Sequence, residues 1–381
     1  MDFELSETAQ EVRQLARDFA ETRLKPHAAE WDEREELPLD ALREGGRLGL
    51  FGLMAPEEFG GLGLDALTYA AALEELARGS ASYAGGVSVH NSLVCTAVRR
   101  FGTAAQKSRW LPKLSSGEVI GAYSLSEPGA GSDAGSIRTA AIADGDCFVL
   151  DGAKCWVTSG GLAGLFLVFV STSPASASRG ISCFLVEKGL PGFTLGRREK
   201  KMGLRASDTR ELLFQGCRVP REALLGQLHG GFKIAMSLLD GGRVGIGAQA
   251  VGIAQAAFEE AVSYAKARRQ FGKPIAEFQL IQEKLARMAV GVDAARLLVR
   301  RAAALLAAGT KCSKEASMAK LFATETANRV VYDAVQVHGG NGYVREFAVE
   351  RLFRDARPAE IFEGTSEVQH LIIARDVLKR M

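Results

Sequence analysis

The chain has 381 residues, of which 47% are hydrophobic and 24% are charged, so it can bury large cores and divide into two or three domains. Its 47 basic and 45 acidic residues leave a formal net charge of +2, which gives no case for a nucleic-acid partner. The six cysteines form no C-x-x-C pair, which argues against a metal site or a disulfide framework and predicts reduced core thiols. No apolar run reaches the roughly 18–20 residues of a membrane span, and the N-terminus lacks a signal-peptide pattern, so a cytoplasmic location is expected.

Helical patterns occupy the first part of the chain. Apolar residues recur with the helical period, and Pro26 and the glycines at 60–63 interrupt the pattern. The predicted helices are 6–25, 39–48, 65–78, 86–101 and 104–114. They indicate an all-helical N-terminal domain over residues 1–118.

The pattern changes after that domain. Short apolar runs such as 165–170 and 181–186, bounded by turn residues, predict a middle β-barrel or β-sandwich domain over residues 119–228. Long helical patterns then return, with Ser313 expected to cap the third of them; they cover residues 231–269, 278–308, 314–338 and 366–379. They predict a C-terminal four-helix bundle over residues 229–381, and hence an α+β multidomain fold.

The string IFEGTSE at residues 361–367 places a carboxylate directly before a glycine and a helix start. Thr365 suits the N-cap position, and Glu367 falls in the first turn, where the helix dipole favours an anion. Gly364 permits a sharp backbone corner, expected to lead from a strand-like approach into the helix. Such a corner can direct Glu363 into a cleft, whereas a solvated loop carboxylate is the commoner environment for a residue of this type.

Two further motifs lie in the middle domain. The Gly-rich segment YSLSEPGAGSDAG at 123–135 partly fits a dinucleotide-binding turn, but Pro128 interrupts the strand-to-turn entry and no helical pattern follows Ala134. A structural turn is the alternative. The string KCWVTSG places Trp156 and Thr158 on one face of a strand, either as a ligand-facing pair or as a core tryptophan beside a surface threonine.

The strings IFEGTSEVQHLIIAR, SEPGAGSD and KCWVTSG, in this order of domains, resemble the acyl-CoA dehydrogenase family over essentially the full chain. Short-chain and short-branched-chain members are the most similar. The resemblance implies FAD, an acyl-CoA substrate and its oxidation to trans-2-enoyl-CoA, with Glu363 as the base that removes the α-proton and the flavin as the acceptor of the β-hydride. Electrons would pass to electron-transferring flavoprotein. A flavin-containing acyl-CoA oxidase and a non-catalytic FAD-binding member remain alternatives.

The resemblance also implies the cofactor contacts. The Gly-rich segment and the Trp-x-Thr pair would meet the flavin, while the Arg268 motif R-x-x-F-G and the Gln336 motif Q-x-x-G-G would contact the diphosphate part, the former from a neighbouring subunit. A cation at a helix end and a Gly-Gly helix stop are the structural alternatives. The implied FAD-binding residues are Tyr123, Leu125, Ser126, Gly131, Ser132, Trp156, Val157, Thr158, Arg268, Phe271, Gln279, Gln336, Val337, Gly339, Gly340, Thr365, Ser366 and Glu367.

The implied substrate contacts are Ser132, Asp240, Arg243 and Gly364. Asp240 and Arg243 belong to the string DGGR, for which a partly buried salt pair is the alternative. A relative that acts on branched substrates draws its base from this region, but here the position before the arginine is Gly242. Since a neighbouring subunit would complete the FAD site, the resemblance implies a homotetramer, built as a dimer of dimers.

Overall fold

The computed structural model describes residues 5–380 and begins with a helical region. Its helices start where the sequence offers caps: the Ser6 side chain accepts a hydrogen bond from Ala9 N, and Thr103 forms a capping box with Gln106. The helices are α1 (Glu7–Phe19), α2 (Ala28–Arg34), α3 (Leu39–Arg47), α4 (Ala66–Gly79), α5 (Ala81–Ser88), α6 (Thr96–Phe101) and α7 (Ala104–Ser115). A π-helical stretch, Val89–Cys95, joins α5 to α6, so the helix predicted over 86–101 is real but irregular.

The middle region is a β-sheet of eight strands in the order β6-β7-β3-β2-β4-β5-β8, with β1 paired to β4. The strands are β1 (Gly121–Ser124), β2 (Ala140–Asp144), β3 (Cys147–Thr158), β4 (Leu165–Ser171), β5 (Ile181–Glu187), β6 (Phe193–Arg198), β7 (Thr209–Pro220) and β8 (Leu224–Leu225). The apolar runs at 147–150 and 154–158 belong to one strand. Strands β2 and β6 bury few residues: β2 buries only Ala141, although residues 140–143 are all apolar, and β6 buries only Phe193.

Strand β4 forms the centre of the molecule because both of its faces are buried. Leu165, Leu167 and Phe169 pack against the helices of the N-terminal region, whereas Phe166 and Val168 point into the core between the strands. A strand covered on both faces is continuously apolar rather than alternating, which explains the unbroken run in the sequence.

The C-terminal region contains the predicted bundle. Its elements are α8 (Gly231–Ala267), β9 (Arg269–Gln270), β10 (Lys273–Pro274), α9 (Gln279–Ala307), α10 (Ser313–His338), α11 (Ala348–Ala356) and α12 (Ser366–Arg380). Helices α8 and α10 run in the same direction, because Ser313 Oγ donates to Asp240 Oδ2 (2.6 Å) at one end and Tyr264 stacks on His338 at the other. The expected Ser313 cap is wrong, since Ser313 is the first residue of α10 and its side chain bonds to α8 instead.

The two helical regions share one hydrophobic core, which runs from Ala16 in α1 to Ala356 in α11. Helix α4 makes this connection by packing on α8 and α9. The domain bounds at 118 and 228 therefore stay predictions, and their outer ends, residues 1–4 and 381, lie outside the described residues. Within residues 5–380, no helix is long and apolar enough to cross a bilayer.

Candidate active site

The predicted corner before α12 is present and is strained. Glu363 has a φ of 52° and Gly364 a φ of 96°, and the residue that is not glycine resists this left-handed conformation. A 3₁₀ turn, Arg357–Glu360, leads into the corner, so the expected strand-like approach is wrong. Thr365 caps α12 as predicted, because Val368 N donates to Thr365 Oγ1 (3.4 Å). Tertiary contacts must therefore hold Glu363 in place.

The Glu363 carboxylate lies inside the protein without a hydrogen-bond partner. Part of the residue is accessible, but both carboxylate oxygens are buried and accept no hydrogen bond from any residue in 5–380. The carboxylate rests on α8 at Gly242, where a Cβ atom would overlap Glu363 Oε2. Burial raises the pKa of Glu363 to about 7, against the opposing positive charges of Lys320 and Arg243. The corner thus presents a carboxylate that can exchange a proton near neutral pH.

Behind the corner, two buried side chains donate to the same carbonyl group. Lys320 Nζ and Gln369 Nε2 each lie 2.8 Å from Gly364 O. Neither side chain is accessible to solvent. These bonds tie the corner to α10 and to the first turns of α12.

The predicted substrate pair Asp240 and Arg243 lies on α8, beside the carboxylate. Arg243 Nη1 donates to Asp240 Oδ1 (2.8 Å), and Arg243 is 6% exposed with its Nε unpartnered among the described residues. Burial lowers the pKa of Arg243, against the opposing negative charges of Asp240 and Glu363. The partly buried salt pair and the site-facing arginine are therefore both present.

One turn further along α8, the space beside the helix is filled. A Cβ atom at Gly245 would lie 2.6 Å from the Tyr69 hydroxyl and would overlap Ser88 Oγ. Tyr69 OH donates to Ser88 Oγ (3.0 Å), and burial raises the pKa of Tyr69. Because Gly242 and Gly245 share a helix face, these hydroxyls fill the space on that face one turn beyond the carboxylate.

The Gly-rich segment is fixed by a buried ion pair. Lys154 Nζ lies 2.7 Å from Glu127 Oε1 and also donates to Leu125 O (3.1 Å). Cys155 N donates to Ser126 O (3.0 Å), which holds the segment beside β3. The main chain at Leu125 and Ser126, to which the resemblance assigns flavin contacts, is therefore positioned by groups to which no role was assigned from the sequence.

The Trp-x-Thr pair lies outside the sheet core, so the alternative of a core tryptophan is wrong, and a bulge interrupts the strand here. The β3–β7 register shifts between Lys154 and Val157, and Trp156 has a φ of 59° and is 62% exposed. Thr158 is half-buried, whereas Val157 is fully buried in the core. Only the main chain of Val157 can therefore reach a ligand.

The predicted FAD contacts of the Arg268 and Gln336 motifs lie far from Glu363. The rise of α8 separates Arg243 from Arg268 by about 37 Å along the helix axis. Arg268 and Gln279 are exposed at that end, and Phe271 is 93% exposed at a hairpin tip with a φ of 51°. Stacking of Tyr264 on His338 brings Gly339 and Gly340, which follow α10, to the same end. One chain therefore contains two separate groups of predicted site residues.

Comparison with known proteins decides the family. Three family models match the chain: the acyl-CoA dehydrogenase N-terminal domain over residues 6–118, the middle domain over 122–217 and the C-terminal domain over 229–378. The chain belongs to the acyl-CoA dehydrogenase family. It is an enzyme of the oxidoreductase class, and the three-domain architecture expected from the sequence is confirmed.

Relatives of this dehydrogenase match along nearly their whole length. It is 49% identical to the mitochondrial short-chain specific acyl-CoA dehydrogenase of Bos taurus, covering 99% of this chain and 91% of the relative. It is 44% identical to the short-chain specific acyl-CoA dehydrogenase of Clostridium acetobutylicum, covering 100% of both chains. It is also 45% identical to acryloyl-CoA reductase (NADH) of Anaerotignum propionicum, covering 100% of this chain and 97% of that one.

Solved structures give the same result. Butyryl-CoA dehydrogenase of Megasphaera elsdenii superposes with a TM-score of 0.98 at 43% identity, covering 99% of this chain and 100% of that one. A chain from a structure of the electron-transferring flavoprotein of Acidaminococcus fermentans, described in connection with flavin-based electron bifurcation, gives 0.98 at 43% identity and covers 100% of both chains.

The residues of this dehydrogenase fit a flavin nucleotide. Buried polar atoms without a partner in residues 5–380 occur at Tyr123 OH, Ser124 Oγ and Ser366 Oγ, around the carboxylate and the Gly-rich segment. A Cβ atom at Gly131 or Gly340 would meet nothing within 4 Å, so the main chain is open to a ligand at both predicted regions. Buried polar groups of a purely structural site have hydrogen-bond partners within the protein, so these unsatisfied groups indicate a site for a polar ligand.

Lys154 and Lys320 have no role predicted from the sequence, although each has a detectable signal. Lys154 falls at an inward position of β3. Lys320 interrupts an apolar helix stripe made of Ala316, Ala319, Ala323 and Ala327. A lysine in such a position must find a buried partner, and both do.

Proposed function

We propose that this protein is an FAD-dependent dehydrogenase that oxidises a short acyl-CoA to trans-2-enoyl-CoA, with Glu363 as the catalytic base. The observation that carries the proposal is the buried, unpartnered Glu363 carboxylate at a strained corner. Leaving a buried carboxylate unsatisfied destabilises a fold, so its retention is best explained by a substrate that fills the space beside it.

The proposed chemistry starts with the ionised Glu363 carboxylate, which takes the proton from the carbon α to the thioester carbonyl. A pKa of about 7 makes it a stronger base than an ordinary carboxylate, while leaving much of it ionised at neutral pH. The α-proton is only weakly acidic, so we assign the Glu363 main-chain N–H to the thioester oxygen, where negative charge develops. When bound, FAD supplies the acceptor for the hydride that leaves the β-carbon.

For FAD, we assign the flavin end to the Gly-rich segment and to the Trp156–Thr158 strand. The separation of about 37 Å along α8 leaves the Arg268 and Gly339–Gly340 region without access to the same flavin end. A second copy of the chain can bring that region to the diphosphate part of the same FAD, which supports an oligomer such as the predicted homotetramer. The exposed, strained Phe271 at the hairpin tip is consistent with a residue that meets a partner subunit.

A short acyl chain is supported by two observations. The bovine and clostridial relatives are described as short-chain specific, and the M. elsdenii structure is a butyryl-CoA dehydrogenase. In this chain, the Tyr69 and Ser88 hydroxyls fill the face of α8 one turn beyond Gly242. We therefore expect straight or branched short acyl groups to fit, and long ones to be excluded. Ser132, Asp240, Arg243 and Gly364 stay the proposed substrate contacts.

Electron-transferring flavoprotein is the proposed electron acceptor. The support is the likeness to a chain from an electron-transferring flavoprotein structure. Rapid reduction of that flavoprotein by the acyl-CoA-reduced enzyme, with slow reaction with oxygen, is expected; fast oxygen consumption would instead indicate the oxidase alternative. The cytoplasmic location stays a prediction, since the bovine relative is described as mitochondrial.

The deciding experiment is an anaerobic titration of the purified holoenzyme with acyl-CoA thioesters, followed by the visible absorbance of the flavin. The panel contains butyryl-, hexanoyl-, octanoyl- and palmitoyl-CoA with isovaleryl-, isobutyryl- and glutaryl-CoA. Bleaching by the short members alone is expected. Bleaching by palmitoyl-CoA would contradict the proposed preference for short acyl chains. No bleaching by any thioester, with FAD bound, would contradict the dehydrogenase proposal.

A further inference from the structure

Lys320 is a fully buried lysine whose only hydrogen bond among the described residues goes to the main chain of the corner. It lies on the apolar face of α10, and its Nζ donates to Gly364 O (2.8 Å). No carboxylate lies within ion-pair distance of it in residues 5–380, although Glu363 is near enough to affect its pKa. Burying an ammonium group without an ion pair destabilises a fold, so the position calls for a functional explanation.

The carbonyl that Lys320 holds belongs to the residue directly after the catalytic base. Gln369 Nε2 donates to the same oxygen (2.8 Å) and lies 3.5 Å from Glu363 O. Two donors thus fix the peptide group after Gly364. Because Glu363 itself has a left-handed φ of 52°, releasing this carbonyl would allow the corner to relax and would move the carboxylate away from Gly242.

The charge of Lys320 acts on the base as well. Burial lowers the pKa of Lys320 to about 8, while nearby carboxylates oppose this lowering, so the ammonium form predominates at neutral pH. That positive charge lowers the pKa of Glu363 against the effect of burial. The other titratable or charged groups that face Glu363 or Lys320 are Tyr69, Tyr123, Arg243, Glu360 and Glu367.

We propose that Lys320 is a positioning residue for the catalytic base. Its ammonium group and the Gln369 amide both donate hydrogen bonds to the Gly364 carbonyl and so hold the Glu363 carboxylate in its orientation. This rests on the proposed function, since it assumes that Glu363 removes the α-proton. The hydrogen bond to Gly364 O fixes the orientation of Glu363, and the positive charge of Lys320 favours the ionised form of Glu363. The two contributions can be separated experimentally, because Gln369 donates to the same carbonyl as Lys320 but carries no charge.

The test measures exchange of the α-hydrogen of butyryl-CoA with deuterium in D₂O. Incorporation into recovered thioester is followed by mass spectrometry across a pH series, using anaerobic holoenzyme with its flavin already reduced so that proton removal is observed without net oxidation. Wild-type enzyme is expected to exchange, and Glu363→Gln is expected not to. If wild-type enzyme shows no exchange, the proposed function fails and the role of Lys320 fails with it.

Lys320→Met is expected to slow the exchange by about tenfold to a hundredfold, because the base is displaced. It should also move the pH midpoint upward, because a positive charge beside Glu363 is lost. Gln369→Met should slow the exchange and leave the midpoint unchanged. Lys314→Met is the control: it lies on the same helix and pairs with Glu315 (3.2 Å) and with Asp376 (3.7 Å), which lies about three turns into α12 and not at the corner.

Wild-type exchange rate and midpoint in folded Lys320→Met would overturn the proposal and leave the role of Glu363 intact. An equal loss in Lys314→Met would also overturn it, since the effect would then belong to any lysine of α10. If Lys320→Met does not fold, Gln369→Met still tests whether the hydrogen bonds to Gly364 O position Glu363. A wild-type exchange rate in that variant would contradict this role. Slower exchange with a normal melting temperature would support it.

Discussion

The two buried lysines of this protein, Lys154 in the β-sheet and Lys320 in the helical bundle, are each 0% exposed, and burial lowers the pKa of each to about 8. Their nearby glutamates differ. Glu127 binds Lys154 directly at 2.7 Å and also accepts from Arg138 N and Thr139 N. Glu363 accepts no hydrogen bond in residues 5–380, because Lys320 bonds to a carbonyl instead.

This difference separates a structural carboxylate from the proposed catalytic one. The Lys154 charge and three hydrogen bonds together lower the pKa of Glu127 despite its burial. For Glu363, burial dominates and the pKa rises to about 7. A glutamate whose carboxylate has all its hydrogen-bond partners stabilises the fold and has no free oxygen to offer a substrate. A glutamate without such partners can accept a proton from a bound ligand.

The largest expected effect breaks the comparison at the base. Glu363→Gln should lower the rate of flavin reduction by butyryl-CoA by roughly 10²–10⁴-fold, because the amide cannot accept the α-proton. FAD content and acyl-CoA affinity should be retained, since the replacement is nearly isosteric. Stopped-flow absorbance under anaerobic conditions measures the rate. A near-normal reductive step would rule out Glu363 as the base.

The next effect breaks the comparison at the ion pair. Lys154→Met should lower the free energy of unfolding by about 3–5 kcal/mol, because it leaves Glu127 buried without its charge partner. Urea denaturation of the holoenzyme at neutral pH measures this loss. Lys113→Met, which removes a lysine 4.0 Å from Glu118 on the surface, is the control and should change stability by less than about 1 kcal/mol. Equal losses in the two variants would contradict the structural role of the pair.

A smaller effect concerns the space that the base occupies. Gly242→Ala should reduce the rate of flavin reduction by about tenfold to a hundredfold, because the new methyl group displaces the Glu363 carboxylate. Gly241→Ala is a matched control on the preceding residue, where a Cβ atom would meet nothing closer than 3.8 Å. Steady-state kinetics with butyryl-CoA compares the two. Similar rates in both variants would argue that Glu363 moves freely.

The smallest effect sharpens the comparison through pH. The folded-state pKa of Glu363 lies above its ordinary value, so wild-type protein should lose stability relative to Glu363→Gln as pH rises from 4.5 to about 7. The pKa of Glu127 is lowered, so wild-type protein should lose its advantage over Glu127→Gln as pH falls through the acid range. Melting temperatures of the three proteins across that range should show opposite slopes. Parallel slopes would contradict the different environments of the two glutamates.

The sequence by itself determined the features that depend on neighbouring residues. The cap at Thr365 marked the start of α12, because its side chain satisfies a nearby backbone N–H group. The run at 165–170 predicted a strand, and Gly364 predicted a corner. The family followed from long motifs in the right order, as the comparisons confirm.

Only the tertiary structure decided how the site is held. Three features of Glu363 depend on α8, α10 and α12 meeting beside it. They are its left-handed φ, its position against Gly242 and the absence of a hydrogen-bond partner for its carboxylate among residues 5–380. Strands β2 and β6 likewise depend on pairing with β3 and β7, because each of them buries only one residue. Local propensity fixes where elements begin and end, but burial and charge pairing join residues far apart in the chain, and these set the reactivity of each glutamate.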